Sequence, residues 1–439
     1  MSQLAVDDFR RVVVKVGSSL LIVDDGRVDR HWLGGLAGDI ADWHARGHEV
    51  LVVSSGAIAI GSTVLGINKR RARLEDLQAA AAAGQVQLAH AYQEALDDYG
   101  ITTAQVLLTP EDTENRRRFL NARGTLGRLI ERRVVPVINE NDTVATEEIR
   151  YGDNDRLAAR VAQLVMADAL ILLSDVDGFY SADPAADPQA EHIPLVTSIT
   201  DEMQRMAGET RSDIGSGGMA TKVQAARIAT HAGCATIITS GVVQRPLSEL
   251  AAGGRCTLFR APGTPAAARK QWLAGVLEVR GELRLDDGAS QALRNGKSLL
   301  PVGVLEVIGN FRRGDVVTLV DSLGRELGRG LAEYSFDEAT QLAGRQSESI
   351  ESVLGYRGRA VMVHRDELVI FDRDDGKLNA RGAVADDGWP RPPGAQRREN
   401  TGHVEWRRAQ CGAAGRGGRT AHTPCRDTQS ECDRCARSA

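Results

Sequence analysis

The chain has little cysteine. Of its 439 residues only six are cysteine; Cys234 and Cys256 lie in the body, while Cys411, Cys425, Cys432 and Cys435 crowd the end. A body this poor in cysteine excludes a disulfide scaffold and predicts a reduced, cytoplasmic protein. Long hydrophobic runs are missing too: none approaches the ~18 residues that span a bilayer, so no membrane association is expected. The opening MSQLAVDDFRR carries two aspartates and no apolar stretch, unlike a secretory signal. Neither sign of charge dominates, since the formal net charge is −5. That balance argues against a nucleic-acid or membrane-surface protein. No row of aromatic residues offers a stacking platform for bases.

What is present is a regular alternation. Arg11–Val16, Val50–Val53, Val134–Ile138, Ala169–Leu173 and Ala235–Ile238 are short, continuous apolar runs. Strands covered on both faces read this way. Helix-like segments lie between them, the clearest being Leu77–Tyr99, whose one weak point is Gly84. Strands alternating with helices predict an α/β fold, a three-layer αβα sandwich around a mostly parallel sheet. Ala261–Arg269 reads as a linker leading into a short helix. After Gly281 the pattern changes to short alternating runs punctuated by glycine, which predicts a small β-rich domain closing near residues 361–371. The division expected is therefore 1–260, catalytic; 261–279, linker; 280–372, β-rich; and 373–439, a tail rich in Arg, Gly and Pro. That tail has too few aliphatic residues to offset the entropy of ordering and is expected to be disordered. Cys432-x-x-Cys435 has the spacing of zinc ligands, but Cys411 and Cys425 form no second pair, so no metal site is assigned.

Five segments carry candidate chemistry, four of them at the carboxyl ends of expected strands, where open parallel sheets bind ligands. Val12–Ser19 (VVVKVGSS) sets Lys15 near a strand end before a turn rich in free N–H groups, as a polyphosphate requires. Val52–Gly61 (VVSSGAIAIG) lets a ligand approach backbone at a helix start. Val137–Asp142 (VINEND) puts polar and acidic residues after an apolar strand, where a ligand ammonium is a natural partner; a solvated turn is the plainer reading. Gly152–Asp155 (GDND) offers carboxylates for a cation, for lysines or for substrate, and equally a helix cap. Gly215–Lys222 (GSGGMATK) opens a helix with three glycines and a lysine, an anion cradle with a point charge, and is the strongest single signal. Asp175-Val-Asp177-Gly178 lacks the remaining ligands of a calcium loop.

Together VVVKVGSSLL, SSGAIAIG, RFLNARGTL, VPVINENDTVATEEIRYGDND, LLSDVDGFYSADP and GSGGMATK, in this order, resemble the amino acid kinase family and, within it, the bacterial glutamate 5-kinases. The resemblance runs from about residue 10 to residue 372, and GELRLDDGASQAL onward looks like a PUA domain. It implies an ATP-dependent kinase acting on the side-chain carboxylate of L-glutamate, at the first step of proline synthesis. Lys15 and Lys222 would contact the phosphates, and Asp155 would hold the lysines. Ser55, Asp142 and Asn154 would bind glutamate. Ser174 and Asp175, with Ser216, Gly217, Gly218, Met219, Ala220, Thr221 and Lys222, would line the ATP site. The resemblance further implies Mg²⁺ carried mainly by ATP with no protein ligand assigned, feedback inhibition by proline, a homo-oligomer and handover of product to a glutamyl phosphate reductase. The nearest rivals are an acetylglutamate kinase or aspartokinase of the same fold; RNA binding through the β-rich region is a remoter one.

Overall fold

The computed structural model describes residues 6–69, 71–144, 154–207, 218–276 and 278–371. Residues 152 and 153 of GDND, Ser216 and Gly217 of the glycine-rich segment, and the tail from 372 onward lie outside the described residues.

In chain order the first strands are β1 (Arg11–Val16), β2 (Glu49–Ser54), β3 (Thr103–Leu108), β4 (Val135–Glu140) and β5 (Ala169–Ser174). Two short strands, β6 (Phe179–Tyr180) and β7 (His192–Ile193), pair as a hairpin. They are followed by β8 (Leu195–Val196), β9 (Ala235–Ser240) and β10 (Cys256–Phe259). Among the described residues eight of these form one sheet in the order β3-β4-β2-β1-β5-β9-β10-β8. All its pairs are parallel except β9 with β10.

The alternating side chains of β1 show why the apolar runs are continuous. Val12, Val14 and Val16 pack on one face with Trp32, Leu36, Ile40, Leu88 and Tyr92 from helices Arg30–Ala45 and Leu74–Asp97. Val13 faces the other way, toward Phe119, Leu126, Val161 and Val223 from helices Arg116–Glu131, Asn154–Val165 and Met219–His231. Both faces are covered, giving the expected αβα layers. With a strand period of two, Lys15 points to the same side as Val13, toward the helices that carry Asp155 and Lys222.

Gly84, the weak point of its helix, has a packing reason. A Cβ there would lie 1.9 Å from the Ala57 carbonyl oxygen, and one at Gly61 would lie 1.7 Å from that of Ala80. Only glycines let these two helix backbones approach so closely.

A second sheet holds β11 (Gly281–Leu285), β12 (Val304–Gly309), β13 (Val316–Val320), β14 (Glu326–Leu331) and β15 (Leu368–Ile370), in the order β12-β11-β13-β14-β15. It meets the first layer system across helices Arg116–Glu131 and Pro265–Gly275: Val316 and Leu331 share one apolar cluster with Phe119, Leu120 and Trp272. At this seam Glu367, 3% exposed, accepts ion pairs from Arg123 and, at 2.6 Å, from Arg269. Burial lowers the two guanidinium groups to about 10 and about 9, so both stay charged at neutral pH. Arg269 also stacks over Trp272, 4.6 Å from the ring centre.

The structure differs from the sequence reading in two useful places. β3 was not anticipated: it starts with Thr103-Ala104-Gln105, lies at the sheet edge and is only partly buried. β4 runs two residues past the apolar run, so Asn139 and Glu140 are buried strand residues and not a solvated turn.

Replacing Glu367 with Gln would leave two desolvated arginines without the carboxylate they share. Breaking a buried pair in this way costs about 3–5 kcal/mol. Denaturant unfolding of Glu367→Gln should show that loss, whereas a change below about 1 kcal/mol would mean that the seam is hydrated and loosely packed.

Candidate active site

Because β1, β2, β4 and β5 are parallel neighbours, their carboxyl ends emerge side by side. Lys15, Ser54, Glu140 and Ser174 are at those ends. After β1 the chain departs toward β2 on one side, and β5 lies on the other; this is the switch point where open α/β sheets bind ligands. Two helix starts point at the same place. Asn154 and Asp155 open one helix, and Met219–His231 begins after Gly218.

Asp155 is the centre of the arrangement. It is fully buried, with Lys15 Nζ 2.6 Å from Oδ1 and Lys222 Nζ 3.3 Å from Oδ2. The Thr221 hydroxyl lies 2.8 Å from Oδ2 and 2.8 Å from the Gly218 carbonyl oxygen. Burial pushes the Asp155 carboxyl up, but Lys15 and Lys222 outweigh it and hold the group below the usual carboxylate range. Lys15 and Lys222 are themselves 6% and 5% exposed. The result is two ammonium groups fixed in a poorly hydrated place by one carboxylate. Such a device keeps both positive charges ready for an anion.

Asn154, the neighbour of Asp155, faces the other half of the site. Its Nδ2 donates to Ser55 Oγ at 2.8 Å, to the Ser54 carbonyl at 3.2 Å and to Asn139 Oδ1 at 3.1 Å. Asn139 Nδ2 in turn donates to Gln85 Oε1 at 2.8 Å, and Tyr92 OH donates to Ser54 Oγ at 3.0 Å. Asp142 begins the short turn Asp142–Val144 after β4. Burial alone raises its carboxyl to about 6, with no offsetting charge among the described residues.

Ser174 is buried at the end of β5 and its hydroxyl donates to Asp175 Oδ1 at 3.0 Å; Asp175 is exposed. Gly218, Met219, Ala220, Thr221 and Lys222 form the helix start beside Asp155. Asp177 pairs with Tyr180 and Arg255. Among the described residues no three His, Cys, Asp or Glu side chains cluster as metal ligands. Sequence reasoning passed over Gln85, Tyr92 and the hydroxyl of Ser54. Asn139 was visible in VINEND but carried no role.

A parallel sheet with two buried lysines and two helix starts at its switch point is the apparatus of a phosphotransferase. The sequence model of the amino acid kinase family matches residues 10–240, and that of the PUA domain matches residues 281–354. The chain belongs to the amino acid kinase family. Curated relatives named glutamate 5-kinase match over most of the chain. The protein from Bradyrhizobium sp. is 54% identical over 371 residues, 84% of this chain and 98% of its own length. Glutamate 5-kinase 1 of Rhizobium meliloti is 54% identical over 387 residues, 86% of this chain and 98% of its own. That of Paramagnetospirillum magneticum is 56% identical over 371 residues, 84% and 100%. A solved carbamate kinase from Giardia lamblia bound to AMP-PNP superposes with a TM-score of 0.41 at 18% identity, over 57% of this chain and 98% of that one.

Asp155→Asn should show whether the carboxylate is what allows two lysines to be buried together. Removing it leaves both ammonium groups uncompensated, at a cost of about 3–5 kcal/mol. Because the folded value is depressed, this stabilisation is present at neutral pH and is lost as pH falls through that value. Unfolding curves of parent and variant should therefore differ widely at pH 7 and converge in acid. Equal stability at pH 7 would refute the reading.

Proposed function

We propose that the chain transfers the γ-phosphoryl group of ATP to the side-chain carboxylate of L-glutamate, giving L-glutamyl 5-phosphate and ADP, the first step of proline biosynthesis. The observation that carries this is the junction of two half-sites at Asn154 and Asp155. One half is polar and amide-rich and ends on Asp142; the other holds Lys15 and Lys222. Relatives 52–56% identical over more than 80% of the chain and named glutamate 5-kinase support the same substrate.

A glutamate side chain has a pKa of about 4.3, so it is already a carboxylate at neutral pH and no general base is required. The difficulty is electrostatic, since an anion attacks a polyanion. Lys15 and Lys222 neutralise charge spreading over the transferring phosphoryl oxygens. The helix start at Gly218–Lys222, with Ser174 and Asp175 alongside, receives the nucleotide. Asp155 keeps the lysines parted and aimed. On the acceptor side Asp142 takes the substrate ammonium, while Ser55 and Asn154 fix the rest of the amino acid. Magnesium arrives with ATP, as part of the substrate; Asp155 is already committed to two lysines, in keeping with a metal held by the phosphates.

The proposal assigns the activity to the cytoplasm, on the low cysteine content of the body. Among the described residues no helix is long and apolar enough to cross a membrane. Residues 1–260 make up the catalytic domain, 261–279 the connection and 280–372 the PUA-like domain. Inhibition by proline at the acceptor site, a homo-oligomeric state and handover of the acyl phosphate to a reductase complete the proposal.

Purified protein with Mg-ATP should release ADP with L-glutamate, and hydroxylamine should trap the product as a hydroxamate. Turnover of N-acetylglutamate or L-aspartate with none of L-glutamate would replace the assignment by another kinase of the same fold.

Single substitutions separate the halves. Lys222→Ala should lower kcat by about 10²–10³, the usual effect of removing one donor to developing charge. Lys222→Arg should rescue poorly, since a planar fork does not replace a compact ammonium. Asp142→Asn should raise the KM for glutamate and leave that for ATP unchanged. In the parent, KM for glutamate should climb as pH falls below about 6, because the raised Asp142 carboxyl takes up a proton and loses its attraction for the ammonium. Asp142→Asn should flatten that limb. Loss of ATP affinity instead would put the acceptor site elsewhere.

A further inference from the structure

Gln85 is buried in the helix Leu74–Asp97 and takes no part in the roles given above. It ends a chain of three carboxamides. Gln85 Oε1 accepts from Asn139 Nδ2 at 2.8 Å, and Asn139 Oδ1 accepts from Asn154 Nδ2 at 3.1 Å. Asn154 Nδ2 also meets the Ser54 carbonyl oxygen and Ser55 Oγ.

The direction of this chain follows from one atom. A backbone carbonyl can only accept, so the Asn154 atom facing the Ser54 oxygen is the amide nitrogen. The Asn139 atom facing that nitrogen must then be oxygen. Asn139 therefore turns its nitrogen to Gln85, which must answer with its own oxygen. Asn154 Oδ1 is left at one end as a buried acceptor without a partner, and Gln85 Nε2 at the other as a buried donor without one, among the described residues. A buried unpaired donor is unfavourable. Leu or Met would fill the same space without it, so packing alone does not explain a glutamine here. The residue is also well anchored, since it follows Gly84, whose backbone abuts Ala57.

We propose that Gln85 is a positioning residue of the acceptor half-site. Acting through Asn139, it steadies the Asn154 amide, whose nitrogen is set on the Ser54 carbonyl and Ser55 and whose oxygen remains an open acceptor for the amino-acid substrate. Without the Gln85 oxygen, the Asn139 NH₂ group is left buried without its acceptor, and the Asn139 oxygen is held less firmly against the Asn154 amide. The inference rests on the assignment of Ser55 and Asn154 to the amino-acid substrate.

The test is steady-state kinetics of the full chain with Mg-ATP, comparing parent, Gln85→Met and Gln85→Glu. Gln85→Met keeps the volume and removes the acceptor. It should raise the KM for L-glutamate about tenfold, with kcat within about threefold and the KM for ATP unchanged, the effect of one lost polar contact. Gln85→Glu keeps an oxygen against Asn139 and should return the KM to near the parent value. A folded Gln85→Met protein with unchanged glutamate KM would overturn the proposal, as would a Gln85→Glu protein no better than Gln85→Met. Should Gln85→Met fail to fold, Gln85→Ala is read by the same two outcomes. The parent is first run on L-glutamate, L-aspartate and N-acetylglutamate. If one of the latter two is the true acceptor, the function assigned above falls, and the Gln85 comparison is made with that acceptor; if none is used, both fall.

Discussion

Two ammonium groups held in contact with one buried carboxylate are the constraint on which this architecture turns. Lys15 and Lys222 come from positions more than two hundred residues apart, and Asp155 lies between them in sequence and in space. Like charges in a region shielded from water repel strongly, so neither lysine could stay buried without the shared anion. The fold supplies it by directing a strand end and two helix starts to one point. The same arrangement leaves the pair preorganised, so on the proposed function a polyphosphate would meet fixed positive charge with little reorganisation.

The adjacency of Asn154 and Asp155 divides the labour. One residue faces β2 and β4 and joins a network of neutral amides; the next faces β1 and the helix Met219–His231 and joins a network of charges. Consecutive residues at a helix start point in different directions, so a single turn of backbone can set the spacing between a bound acceptor and a bound donor. On the proposed function the phosphoryl group would then have only a short distance to travel, which is the entropic advantage that positioning offers.

The layers and the basic half of the site were legible in the sequence for a local reason. Continuous apolar runs such as VVVKV and ALILL reveal strands covered on both faces, and the glycine-rich segment before Lys222 announces the helix start at Met219. The motifs also carried the resemblance on which the pairing of Asp155 with the lysines rested. What escaped depended on partners distant in sequence. β3 hides because its early residues are half-exposed and polar. Asn139 reads as a turn residue when β4 is judged by hydropathy alone, yet it is buried because Gln85 and Asn154 satisfy its amide. Gln85 gives no signal at all in an alanine-rich helix, and Glu367 sits in an ordinary charged stretch, RDEL, whose burial only the second sheet creates.

The seam at Glu367 has a consequence for how such a chain can be recombined. Arg123 belongs to the helix Arg116–Glu131, which leads after a short turn into β4, and Arg269 belongs to the connecting helix Pro265–Gly275; the carboxylate they share comes from the far end of the second sheet. The charge balance of the first body is thus completed by an atom it does not encode. Another β-module grafted at residue 280 would inherit two desolvated guanidinium groups, and it would fit only if it carried an acidic side chain of its own at that one spot. The interface therefore acts as a password between the two halves, read in charge as well as in shape.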